Sequence, residues 1–156
     1  MSLATDSIFV SAIRSNTLLM GKIGSRLYST AIPLPDEDVD NVDTPYIIVT
    51  FEALNNDQTT KDDPFESGED QVDISILIAA KTREQLAELT ADVRKTVYDY
   101  MMAALSEDEI VIDDYRFSAE AVRYDSLKPC YWQTLRYSCD VTNEINNGQD
   151  ESEVLE

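Results

Sequence analysis

The side chains able to carry chemistry in this chain are its carboxylates, two thiols and eight tyrosines; histidine is absent. Without imidazole there is no serine–histidine or cysteine–histidine nucleophile pair, and most transition-metal sites are excluded. Asp36, Asp38 and Asp40 stand at alternate positions, as the first ligands of a calcium loop do. That reading fails further on: Asn41 replaces the glycine of position six, and Ile47 replaces the glutamate of position twelve. Cys130 and Cys139 on one extended strand would lie about 30 Å apart, beyond disulfide reach. Both are expected to be reduced, with Cys139 packed in the core. The sequence has no phosphate-binding glycine loop, nucleophile elbow or metal-ligand cluster. The expectation is a protein that is not an enzyme and uses no cofactor or metal.

Twelve basic residues against thirty-one acidic ones give a net charge of −19. So negative a surface disfavours tight binding to nucleic-acid phosphates or to an anionic membrane. It suits a DNA mimic, a partner with basic patches, a conduit through which DNA must slide, or simple solubility. The 156 residues, 43% of them hydrophobic, are enough for one domain with one core. That domain is expected over residues 1–145, with residues 146–156 as a disordered acidic tail. No run reaches the roughly 20 apolar residues of a membrane span, and no basic leader precedes an apolar segment. A soluble, cytoplasmic product is expected.

The elements that would position these groups are clearest between Asp70 and Leu105. Val72, Ile74, Ile76 and Ile78 alternate with Asp73, Ser75 and Leu77, the period of a strand with one buried face. Thr82 and Gln85 follow at capping-box spacing. The period then changes, and Leu86, Leu89, Val93, Val97, Tyr100, Met101 and Ala104 form one helical stripe. Upstream, Ile8, Phe9, Ala12 and Ile13 mark a first helix, capped by Thr5 or Ser2 and ended by Asn16. Leu18, Leu19 and Met20 suggest a short buried turn, and Arg26, Leu27 and Tyr28 an edge strand. In residues 46–54, Ile47, Val49, Phe51 and Ala53 alternate on one face of a strand that Pro45 opens. Residues 115–124 and 131–142 alternate again around the turn residues Asp125, Ser126 and Pro129, and read as a closing hairpin.

The sum is an α+β domain in the order α–β–β–β–α–β–β, with four main strands in a mostly antiparallel sheet. Two helices cover only one face of such a sheet. By strand parity the other face shows Ile48, Leu77, Val122 and Trp132 among Thr50, Ser75, Thr134 and Arg136. Apolar residues with a Trp and an Arg in polar surroundings have the composition of a protein interface. Sister copies of the chain are the expected cover, and the alternative is a roof built from the monomer's own loops.

The order of segments also carries a resemblance. After the first helix come "GKIGSRLYSTAIP", "TPYIIVTFEALNN", an acidic loop, "QVDISILIAAKTREQLAELTADVRKTV" and two further strands. Over about residues 3 to 142 this resembles the tail-completion, or tail-terminator-like, proteins of phages and prophages, which include minor tail-capping proteins. The resemblance implies a ring, usually a hexamer, that sits on the growing end of the tail tube and stops its polymerisation. The implied partners are further copies of the chain, the tail tube protein and a head-completion protein, with a final location in the virion tail or neck. A ring needs two different patches per subunit; the bare sheet face and one edge of the helical layer are the candidates. Asp57, Asp62, Asp63 and Glu66, in the loop between two strands, would line the channel and repel DNA phosphates so that the genome slides. The rival function is an acidic regulator that mimics DNA and binds a host DNA-binding protein.

Overall fold

The strand at residues 69–80 runs through the sheet with a partner on each side, and the rest of the domain follows from that placement. The computed structural model describes residues 2–30, 44–56, 68–106, 112–127 and 129–142. One 3-10 turn, Ser2–Ala4, leads into α1 (Thr5–Ser15), α2 (Thr17–Lys22) and β1 (Leu27–Ser29). Then come β2 (Tyr46–Asn55), β3 (Glu69–Ala80), α3 (Arg83–Ser106), β4 (Ile112–Ala119), β5 (Arg123–Asp125) and β6 (Cys130–Thr142). The strands form one six-stranded sheet in the order β1-β2-β3-β6-β4, with β5 beside β6. All pairs are antiparallel except β1 with β2, which is parallel.

The α+β class and the element order follow the alternation in the sequence, with a short second helix, α2, and one short strand, β5, added. Val72, Ile74, Ile76 and Ile78 are at most 1% exposed and face the helices. In register beside Ile76 lie Val49 on β2 and Leu135 on β6. Leu86, Leu89, Val93 and Val97 of α3 close over them, as do Phe9 and Ile13 of α1. Each such side chain, fully buried, stabilises the fold by about 1.5–3 kcal/mol. Tyr137 sits among three rings, with centroids 5.0 Å from Phe9, 5.3 Å from Tyr115 and 5.2 Å from Phe117.

Helix ends depart from expectation in one place. Neither Thr5 nor Ser2 caps α1: its N-cap is Ala4, with no side-chain cap bond, and Thr5 is the first helical residue, fully buried. The Thr82 cap forms as expected, with Gln85 N–H donating to Thr82 Oγ1 at 3.1 Å. Asn16 ends α1 and also starts α2, its Oδ1 accepting from Leu19 N–H at 3.1 Å.

Two bulges and a break alter the simple parity. In β2 the register shifts between Phe51 and Ala53, so Ala53 pairs with Asp73 and Leu54 with Val72. The extra residue, Glu52, turns Ala53 away from the face of Ile47, Val49 and Phe51, and Leu54 takes the core side. A second shift in β4 lies between Ile112 and Asp114. The single strand expected over residues 115–124 is divided, because the chain leaves the ladder at residues 120–122.

Candidate functional site

The sheet face opposite the helices presents ordered cross-strand rows. Tyr46, Ala79 and Trp132 lie in register across β2, β3 and β6; so do Ile48, Leu77 and Thr134, and then Thr50, Ser75 and Arg136. Four of the five residues expected at an interface can be placed on these rows or beside them. Ile48, Leu77 and Trp132 share the face and are half-buried, and Arg136 is exposed two positions along from Thr134. Val122 lies off the strands in the link between β4 and β5, 39% exposed. Strand parity does not apply to it there.

The apolar end of this face is a small cluster, with Ala79 and Cys130 buried and Tyr46, Leu77 and Trp132 packed on them. Ala79 is small and sits between two large rings in register, which is how a residue on a bare face reaches zero exposure. Both rings carry a guanidinium: Arg26 lies 5.3 Å from the Tyr46 centroid and Arg123 5.5 Å from that of Trp132. An aromatic pair topped by cations is a surface suited to an acidic or apolar partner.

The polar end is laced by ion pairs. Arg116 grips Asp140 with both terminal nitrogens at 3.1 Å, and Arg136 Nε reaches Glu120 Oε1 at 3.0 Å. Ser75 donates to Glu52 at 2.7 Å, and Gln71 Nε2 to Ser138 at 2.8 Å. Between these side chains is a recess of about 290 Å³. Its two guanidiniums, Arg116 and Arg136, are held from outside the recess by Asp140 and Glu120, and Glu52 on its wall accepts from Ser75.

The shifted groups point the same way. Burial, then the nearby Asp113 and Asp140, raises the Glu69 carboxyl above its ordinary range. Burial pushes the Cys139 thiol up to about 12, and it raises Tyr137 as well. A raised thiol or phenol is a poorer nucleophile at neutral pH. Cys130 and Cys139 are both buried, and neither is in a disulfide among the described residues. Among the described residues no group of His, Cys, Asp or Glu is arranged to hold a metal ion. Among them, too, no helix is long and apolar enough to cross a membrane. Asp57, Asp62, Asp63 and Glu66, the Asp36–Asp40 stretch and the tail at 146–156 lie outside the described residues.

Sequence reasoning missed one feature. Among the described residues, α1, α2 and α3 do not cover the whole of their side of the sheet. Beyond α3 an open groove of about 1100 Å³ runs along β4, floored by Tyr115 and Phe117 and rimmed by Tyr98 and Met102. The signal was present: Ala87 and Ala91, at i and i+4 with Arg94 and Tyr98, mark a second, smoother flank on α3.

No family model matches the chain, and no curated protein matches it. The chain is similar to one in a solved structure of the virion of a native gene transfer agent particle. The two are 16% identical with a TM-score of 0.48, over 88% of this chain and 94% of that one. At that level the likeness carries no function across.

Proposed function

We propose that the chain is a structural protein of virion assembly: a ring-forming tail terminator or head–tail joining component that caps the tail tube. The observation that carries the reading is the one-sided sheet. The described helices lie on a single face, and Ile48, Leu77 and Trp132 stay half-exposed on the other. Arg26 and Arg123 place two guanidiniums over the Tyr46 and Trp132 rings at the apolar end of that face, in a chain of net charge −19. An acidic partner is thereby accepted at one place and rejected elsewhere. The segment order that resembles tail-completion proteins supports the same reading. The carboxylate loop at Asp57–Glu66 would then face the channel and ease DNA passage.

Size-exclusion chromatography with light scattering, alone and with tail tubes, tests this reading. A ring-sized particle, or binding confined to tube ends, is expected. A monomer or dimer that ignores tubes and competes with DNA for a nuclease would favour the DNA-mimic function instead.

A further inference from the structure

Strand β4 (Ile112–Ala119) is an edge of the sheet, with β6 on one side and no described strand on the other. Along such a strand the backbone groups point alternately to the two sides. Glu120 N–H donates to Thr134 O of β6 at 2.9 Å, so Ser118, Arg116 and Asp114, in step with it, also turn toward β6. The N–H and C=O groups of Tyr115, Phe117 and Ala119 therefore point outward. At Tyr115 the outward N–H is taken by Asp114 Oδ1 at 2.8 Å. Phe117 and Ala119 keep theirs open among the described residues, and Arg116, Ser118 and Ala119 are exposed. An open edge of this kind pairs with another strand unless its side chains forbid it.

The side chains here select one way for the edge to pair with itself. When two copies meet antiparallel about a two-fold axis, outward residues must oppose outward residues. With Arg116 on the axis, two guanidiniums meet. With Phe117 there, Asp114 of one copy faces Glu120 of the other. Both set like charges directly opposite, which destabilises the pair. Tyr115 on the axis puts the ladder on the N–H that Asp114 holds and on the bulge before Asp114. Ala119 on the axis sets Phe117 against Ala121, where the chain has left the strand. With Ser118 on the axis these conflicts vanish. Phe117 of each copy then exchanges both N–H···O bonds with Ala119 of the other, a large side chain beside a small one. Arg116 faces the second copy's Glu120, and the reverse, across non-hydrogen-bonded pairs, where side chains stand closest. Within its own copy Arg116 keeps Asp140, and Glu120 keeps Arg136. Each crossing is thus a row of alternating sign: Asp140 and Arg116, then Glu120 and Arg136 of the second copy.

We propose that two copies of the free chain pair through β4 about a two-fold axis at Ser118, their sheets running on as one. The ladder is short, so the dimer is weak and reversible. Such a joint is self-complementary and closes on itself, so it is not the head-to-tail contact of a ring. It concerns the chain off the tube and does not rest on the ring reading.

Sedimentation velocity over a concentration series tests the joint, with circular dichroism to show that each variant folds. The native chain is expected to pass from monomer to dimer below about 1 mM. Arg116→Glu and Glu120→Arg each set like charges opposite at both crossings. Either alone is expected to raise the dissociation constant roughly tenfold or more. Mixed in equal amounts, the two variants regain opposite signs at both crossings and form a heterodimer at native strength. Ser118→Cys reads the register: partners on the axis lie about 4.5 Å apart at Cα, so a mild oxidant links two copies by a disulfide. The native chain, whose Cys130 and Cys139 are buried, is expected to stay unlinked. A native chain that stays monomeric to about 1 mM, a mixture that does not pair, or Ser118→Cys copies that do not link would overturn the joint. Native rings on tube ends with no dimer in free solution overturn it too and leave the ring reading in place. A dimer that links through Ser118→Cys yet never caps tubes upholds the joint and counts against the ring.

Discussion

Tyr137 and Cys139 neighbour each other on the buried face of β6 and show what this core tolerates. The Tyr137 hydroxyl is buried with no hydrogen-bond partner among the described residues, while its ring touches Phe9, Tyr115 and Phe117. A buried, unpaired hydroxyl costs about 1–3 kcal/mol, whereas the ring contacts survive its removal. Tyr137→Phe is therefore expected to leave stability unchanged or raise it by about 1 kcal/mol in urea denaturation; a clear loss would reveal a partner for the hydroxyl. For Cys139 burial moves the thiol from 9.0 to about 12. Between those values the folded chain keeps a proton that the unfolded chain releases, so stability falls as pH rises through that window. Below pH 9 the group contributes no pH dependence. Lys22, held by Asp92 and Glu88, is raised from 10.5 to about 12 and adds to the same alkaline loss. A denaturation series from pH 8 to 11.5 checks the sign, with Cys139→Ala flattening part of the slope.

Among the elements, α3 and β3 were legible because each obeys one period over its whole length. The α3 stripe from Leu86 to Val97 is buried as its spacing predicts, and Thr82 caps the helix start. Leu89→Ala is expected to cost about 2–5 kcal/mol and Thr82→Ala about 1 kcal/mol, both read from urea midpoints at constant slope. A Leu89→Ala cost below about 1 kcal/mol would mean that α3 is not clamped on the sheet as described. What escaped reading was what breaks a period. Glu52 at a bulge has no composition signal, because any residue can be the extra one. At the interruption after Ala119, the Glu120 carbonyl accepts from the Gln133 side chain at 2.9 Å and its carboxylate takes Arg136. Those partners lie more than ten residues away along the chain. The cap at Ala4 was hidden for a related reason: Thr5 is a good capping type, yet the core claims it. That Ile48, Leu77 and Trp132 share the sheet face opposite the helices was legible because β2, β3 and β6 keep unbroken register there. The α3–β4 groove was not, since the reach of two helices across a sheet is a property of packing, not of any one segment.

As a whole molecule the chain combines a sheet whose described helices all lie on one face with a strong negative charge. Charge keeps copies apart until complementary spots meet, and apolar area at those spots supplies the attraction. Arg26, Arg94 and Arg123 each lie over an aromatic ring, so several of the chain's twelve basic residues sit on apolar surface. On the proposed reading, those cations on apolar surface give association its direction. The most direct measurement is tail tube length, by electron microscopy, when the tube protein of the same genome polymerises with this chain. The native chain is expected to cap the ends and hold the length fixed, and a folded Trp132→Glu variant to let tubes grow on. Tubes that keep growing with the native chain bound nowhere along them would contradict the account.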